Sequence, residues 1–205
     1  MKLTVLVDNH AKGKLRAEWG LSMLLETEKG KTLFDFGSSN MYLENAEQMG
    51  LDLKDVKRCV LSHGHWDHGS GLVHWAYGGE LICHPDVFTE RYRKKKVLGL
   101  PCTKDEVSAK MSIRMSREPL EIEKNVFFLG EIPRRTDFES KYTPFTKADG
   151  TEDFVADDTG LAMGTDRGLT VLSGCAHSGI CNIVEHAKDV TGVSKIHALL
   201  GGFHL

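Results

Sequence analysis

The stretch LSHGHWDHGSGL, residues 61–72, decides how the rest of the chain is read. Three histidines and an aspartate lie within six residues, directly after the apolar run Cys59-Val60-Leu61. His63 and His65 are one residue apart, so in extended backbone their side chains project to the same side, and Gly64 lets the chain turn tightly between them. Both imidazoles can grip one cation. Asp67 and His68 follow at once, and Gly69 and Gly71 permit another close turn, so a carboxylate and a third imidazole face the same space. They can hold a second cation. Neutral imidazole suits zinc and iron, while a carboxylate adds affinity for harder ions such as manganese. A single histidine after a strand would be an ordinary solvated turn residue. This many polar groups beside an apolar strand call for a metal to satisfy them.

Composition sets the frame for that site. At 205 residues the chain is long enough for a proper core and is read as one domain, 1–205. Twenty-nine acidic residues against 26 basic ones leave a net charge of -3, so nothing global points to nucleic acid. An anionic substrate must be met locally. No apolar run reaches the roughly 18 to 20 residues of a membrane span, and the start MKLTVLVDNH has no signal-peptide core. The expected location is the cytoplasm. Cys59, Cys83, Cys102, Cys175 and Cys181 are odd in number and lack a CxxC pair, which suits reduced thiols and argues against a zinc ribbon.

Along the chain, β-rich apolar runs at 3–7, 21–27, 32–36 and 58–62 suggest one sheet. The segment SSNMYLENAEQMG reads as a helix with Ser38 or Ser39 as N-cap and Gly50 at its stop. A short helix follows the histidine cluster, then a strand at 80–83 and a Pro85-led helix over 85–93. Residues 91–119, with the basic run Arg91 to Lys96, read as an insertion or lid, and that run as a solvated face able to steer phosphate only near a site rim. A strand at 125–130 precedes an acidic, irregular stretch over 134–158. Residues 161–165 and 168–174 make a hairpin, 179–190 a helix and 195–202 a last strand. The pattern is α+β in layers rather than a simple alternating parallel sheet. His177 and His204 each sit just past an apolar strand in a Gly-flanked turn, which makes both candidate ligands. His10, His74, His84, His186 and His197 lack such partners and are read as structural.

The HxHxDH phrase formed by His63 to His68 resembles the defining motif of the metallo-β-lactamase fold superfamily. Asp35 in LFDFG and the phrase CHPDVF agree with it. Within the superfamily, VDNH, EWGLS, LFDFGSS, LGEIPR, DDTGL, GCAHSGICNI and GGFHL are similar to the 7,8-dihydropterin-6-methyl-4-(β-D-ribofuranosyl)aminobenzene-5'-phosphate synthase group, relatives of phosphorylcholine esterases. The resemblance implies a four-layer αββα sandwich and two divalent metal ions, zinc with manganese or iron as alternatives. It implies His63, His65, Asp67, His68, His177 and His204 as ligands. Asp67 and Asp35 are the candidate catalytic residues, Asp67 orienting a metal-bound hydroxide and Asp35 holding a ligand imidazole in its tautomer.

Where the superfamily usually has a bridging Asp, this chain has Ser173-Gly174-Cys175-Ala176-His177, and Cys175 is expected to pack behind the ligands. Arg134 and Arg135 in GEIPRR are the expected anion clamp. The expected substrate is a small anionic phosphoester or related ester. Phosphoribosyl transfer to an aminobenzoate, an iron-dependent redox activity and a sensor domain with a degenerate site stay open as alternatives. Proteins of the resembling group continue past the position of His204 with a His-Cys-Thr-Gly phrase, so a sandwich without its C-terminal segment is expected, and oligomeric state stays open.

Overall fold

The structure, a computed structural model, describes residues 1–204. The chain runs β1 (Lys2–Val7), β2 (Ser22–Thr27), β3 (Gly30–Phe34), α1 (Met41–Gln48), β4 (Val56–Val60) and α2 (Trp66–Gly69), which continues as a 3-10 turn over Ser70–His74. It continues through β5 (Glu80–Cys83), a 3-10 turn over Pro85–Phe88, β6 (Arg91–Arg93), β7 (Lys96–Val97), α3 (Lys104–Ser108), β8 (Ser112–Met115), β9 (Leu120–Glu123) and β10 (Val126–Phe128). The last third holds β11 (Thr146–Lys147), β12 (Gly160–Thr165), β13 (Gly168–Ser173), α4 (Ile180–Thr191) and β14 (Ile196–Gly201). Among the described residues no helix is long and apolar enough to cross a membrane.

A six-stranded sheet in the order β1-β2-β3-β4-β5-β8 faces a five-stranded sheet in the order β14-β13-β12-β10-β9. Side chains alternate across a strand, so one set from each sheet meets between them. Leu21, Met23, Leu25, Phe34, Val60 and Ile82 meet Val126, Phe128, Leu161, Met163 and Leu172 there. The opposite face of the first sheet (Leu24, Leu33, Cys59, Leu81) packs on Tyr42 and Ala46 of α1, on Trp75, and on Val107 of α3. The outer face of the second sheet (Ala162, Leu169, Val171) packs on Ile183 and Ala187 of α4. Helix, sheet, sheet, helix is the expected four-layer α+β sandwich. Burying each of these large apolar side chains stabilises by roughly 1.5–3 kcal/mol, and strands buried on both faces explain the apolar runs.

Three local expectations are corrected. The helix over 85–93 is a single 3-10 turn, after which Arg91–Arg93 form a strand. An isolated turn has little stability of its own, and Arg91 is drawn into the interior by distant carboxylates described below. Residues 91–119 are not one excursion: β6 and β7 form a hairpin, α3 starts on a capping box between Thr103 and Glu106, and β8 pairs parallel with β5. The Thr-x-x-Glu phrase was the sequence signal for α3. Helix α1 has Asn40 as its N-cap, with the Ser39 hydroxyl accepting the Met41 N–H at 3.1 Å.

The topology places the chemistry. β3, β4 and β5 run parallel, as do β13 and β14, and Asp35, His63, Cys175, His177 and His204 all follow the C-terminal end of one of these strands. Open sheets built of parallel strands gather ligands at those ends. The two rims are joined directly, since Thr159 N–H donates to the Ser62 carbonyl at 2.9 Å.

Candidate metal centre

Asp35 lies at the bottom of the site, fully buried, with φ of 59°. Its Oδ1 accepts the Ser62 N–H at 2.7 Å, and its Oδ2 accepts the Ser62 hydroxyl at 2.7 Å. The same Oδ2 lies 2.7 Å from His68 Nδ1. Because a carboxylate only accepts, His68 must carry its proton on Nδ1, which leaves Nε2 as the outward-facing atom. The Ser62 hydroxyl donates its one hydrogen to Asp35, so at 2.9 Å from His63 Nδ1 it accepts, and His63 is likewise protonated on Nδ1. One carboxylate thereby sets two tautomers.

The Nε2 atoms of His63, His65 and His177 are buried and have no hydrogen-bond partner. The ring centroids of His63 and His65 lie 4.7 Å apart, those of His63 and His177 4.9 Å, and those of His65 and His177 4.7 Å. Burial, reinforced by the neighbouring imidazoles and Arg91, pushes all three pKa values well down, that of His65 to about 2. All three are thereby held toward the neutral form, and each leaves a buried Nε2 without a partner. Buried ring nitrogens without partners are costly unless a cation or another polar group meets them. For His68 burial works against the charged form, but Cys175 and Asp35 outweigh it and hold its pKa well above the usual value.

Two overlapping donor sets emerge. His63, Cys175 and His177 present ligand atoms within 4.8 Å of one another, and so do Asp67, His68 and Cys175. Cys175, expected to pack behind the ligands, belongs to both sets, and its Sγ is 3.0 Å from His68 Nε2. His65 and His204 lie outside both sets, His65 buried with its ring centroid 4.7 Å from those of His63 and His177, and His204 exposed at the rim with its ring centroid 4.5 Å from that of His177.

Two glycines are required by close backbone contact. A Cβ on Gly64 would lie 1.9 Å from the Val87 carbonyl, and one on Gly174 would lie 2.0 Å from Ser62 Oγ. Each position lets a donor-bearing loop press against its support.

Behind the loop, buried Asp157 accepts the Gly64 N–H at 2.7 Å and pairs with buried Arg91, whose Nη2 is 2.9 Å from Oδ1. Sequence reading took Arg91 for part of a solvated face; it is instead the brace beneath the metal loop. Asp158 accepts the Ser178 N–H at 2.9 Å and also the Ser178 hydroxyl. Burial, with the charge of Asp157, raises the Asp158 pKa from 3.8 to about 6 against those two bonds. The unfolded chain therefore releases this proton before the native protein does. Between pH 4 and 6 this carboxyl holds more proton in the native state, so its own contribution to stability falls as pH rises through that window, by roughly 3 kcal/mol for a displacement of this size, against the rise contributed by the three depressed histidines. Asp158→Asn should lack that fall. Urea denaturation of both proteins at pH 4 and pH 6 checks it, and parallel pH profiles would refute the buried-acid assignment.

Arg134 and Arg135 do not reach the donor sets. Arg134 donates to the carbonyls of Phe154 and Val155, and Arg135 pairs with Asp189. The cations that line the cleft are Arg93 and Lys96, which with His65, Asp67, His68, Cys175 and His177 border a space of about 670 Å3. His84 accepts the Asp86 N–H at 3.1 Å and faces Glu131 at 3.2 Å, and His186 Nε2 lies 2.9 Å from the Leu129 carbonyl. Both are structural.

The sequence profile of the metallo-beta-lactamase superfamily matches residues 20–190, and the chain belongs to that superfamily. It is 33% identical to the uncharacterised protein MJ0448 of Methanocaldococcus jannaschii, over 99% of this chain and 79% of that one. It is 30% identical to 7,8-dihydropterin-6-methyl-4-(β-D-ribofuranosyl)-aminobenzene-5'-phosphate synthase of the same organism, over 100% of this chain and 78% of that one. Among solved structures it superposes on Tm1679, a metal-dependent hydrolase of the β-lactamase superfamily, with a TM-score of 0.87 at 30% identity, covering 99% of this chain and 76% of that one. A subclass B3 metallo-β-lactamase of Bradyrhizobium japonicum superposes with a TM-score of 0.54 at 15% identity, over 90% of this chain and 71% of that one, a likeness of fold alone.

Proposed function

We propose that this protein is a dinuclear metal-dependent hydrolase acting on a phosphoester or related small anionic ester in the cytoplasm. The observation that carries the metal assignment is the pair of donor sets that share Cys175, one with His63 and His177 and one with Asp67 and His68, beside the buried, unpartnered Nε2 atoms of His63, His65 and His177. His63, His65 and His177 would hold one cation, and Asp67 and His68 the other, with Cys175 in reach of both. A pair of divalent ions, zinc with manganese or iron as alternatives, supplies Lewis acidity and a water of lowered pKa when bound.

The chain's own residues do the rest. Asp35 and Ser62 keep Nδ1 of His68 and His63 protonated, so that each imidazole presents Nε2 in one fixed orientation. Asp67, half-buried on the cleft floor, has a carboxylate that can orient a water for attack. The likeness to Tm1679 supports hydrolysis. The reduced state of the five cysteines suits the cytoplasm.

A second reading, transfer of a phosphoribosyl group to an aminobenzoate acceptor, is favoured by the 30% identity to the M. jannaschii synthase, over 100% of this chain and 78% of that one. Metal analysis of protein purified without added metal, followed by a panel of phosphomonoesters and phosphodiesters, tests the primary assignment. About two divalent ions per chain are expected, with phosphodiester turnover that a chelator abolishes and added metal restores. Asp67→Ala should lower both metal content and turnover. A metal-free protein, or turnover that needs an amine acceptor or a redox partner, would overturn it.

A further inference from the structure

We propose that Arg93 and Lys96 recognise an oxyanion on the substrate that is separate from the ester bond to be cleaved, which deepens the hydrolase reading above and rests on it. β6 and β7 form a hairpin with Tyr92 opposite Val97 and Arg93 opposite Lys96, leaving Lys94 and Lys95 as a two-residue turn in which Lys94 has φ of 59°. Directly opposed residues of an antiparallel pair put their side chains on the same face, about 5 Å apart at Cβ, where like charges destabilise. Arg93 and Lys96 are such a pair. Among the described residues neither has an acidic partner within ion-pair distance.

Strand alternation shows which way this face looks. Arg91, two residues before Arg93, is 1% exposed, and Leu98, two residues after Lys96, is 8% exposed. The shared face therefore turns toward the protein, and where it leaves the interior it borders the cleft that holds the donor sets. Lys96 is held there by the metal loop itself, its Nζ lying 5.1 Å from the centroid of the Trp66 ring. The Trp66 backbone N–H donates to the Leu98 carbonyl at 2.9 Å, which ties the hairpin to the loop. Two uncompensated cations, opposed on a rigid hairpin and facing a cleft, form a fork for a carboxylate or phosphate. Such an anion would relieve their mutual repulsion.

The test uses paired probes with one scissile group. Methyl 4-nitrophenyl phosphate is compared with congeners whose alkyl arm ends in a carboxylate or in a phosphate, and nonhydrolysable phosphonate versions are titrated by calorimetry. The expected wild-type result is a preference of about tenfold or more for an anionic arm, the size of one charge-assisted contact, expressed in KM and in phosphonate affinity and shrinking as salt is added. Comparing the carboxylate with the phosphate arm shows which oxyanion is taken. In R93A/K96A the ratio between charged and uncharged congeners should fall to about one, while R93K/K96R keeps most of it, and metal content confirms that the variant is folded. A wild-type protein with no such preference, or a double alanine variant that keeps it, overturns the proposal. Phosphonate binding with the predicted ratio but without turnover of any ester would sustain the anion fork while sinking the hydrolase reading.

Discussion

Replacing Asp35 by Ala should destabilise the fold by about 3–5 kcal/mol and weaken metal binding by about 10- to 100-fold. The carboxylate accepts from the Ser62 N–H, the Ser62 hydroxyl and His68 Nδ1, all at 2.7 Å and all out of water. Removing it leaves three donors buried without an acceptor, and each such loss costs about 1–3 kcal/mol. It also frees His68 and, through Ser62, His63 to take the wrong tautomer, with Nε2 protonated and unable to bind a cation. Backbone conformation adds a smaller contribution, since at φ of 59° Asp and Asn are tolerated better than Ala. Asp35→Asn separates the two effects. It keeps the backbone preference, yet its amide NH2 must face one of the donors, so metal affinity should fall even where stability is partly spared. Urea denaturation of the metal-free proteins and chelator competition for zinc measure the two quantities. If Asp35→Asn matched the wild type in both, Asp35 would not be setting the tautomers.

The difference between what was legible in the sequence and what was not follows from how far apart the partners lie. His63, His65, Asp67 and His68 could be grouped because short-range geometry alone brings them together: an HxH pair in extended backbone, then Asp67 and His68 in the first turn of α2. The layers could be read because β2 and β13 bury residues on both faces and α4 carries a single apolar stripe. Cys175 was expected behind the ligands because nothing in SGCAH records that its Sγ comes within 3.0 Å of the His68 imidazole of α2.

Distance along the chain likewise separates Arg134 and Arg135 from their partners. Their phrase looks like an anion clamp, yet the partners that claim them, the Phe154 and Val155 carbonyls and Asp189, come from remote parts of the chain. The helix expected over 85–93 failed where local preference met a long-range demand. Pro85-Asp86-Val87-Phe88 makes its turn, and then two carboxylates 62 and 66 residues downstream hold Arg91 in extended chain. Charge runs are usually solvated, so the sequence alone did not separate Arg91, which is buried, from Arg93 and Lys96, which border the cleft.

That buried arginine carries the second large effect. Arg91→Met should cost about 3–5 kcal/mol, because it leaves Asp153 and Asp157 as buried, unpaired charges. Arg91 is 1% exposed; its Nε lies 3.2 Å from Asp153 Oδ2 and its Nη1 3.1 Å from Asp157 Oδ2. The loss should spread to the metal loop, since the same Asp157 oxygen accepts the Gly64 N–H between His63 and His65. It should spread to the hairpin as well, because Arg91 is the residue on which β6 enters the interior. Arg91→Lys keeps the charge but cannot reproduce the planar fork over two carboxylates, so an intermediate loss is expected. A triple variant, Arg91→Met with Asp153→Asn and Asp157→Asn, is the informative control. Removing all the charges together avoids the uncompensated ones, and the side-chain amide carbonyl that Asp157→Asn introduces can still accept from the Gly64 N–H. The triple variant should recover most of the stability lost in Arg91→Met, and zinc affinity with it. Denaturation and zinc competition across the series decide the matter: if Arg91→Met alone is as stable as the wild type and binds zinc equally well, the metal loop does not depend on this brace.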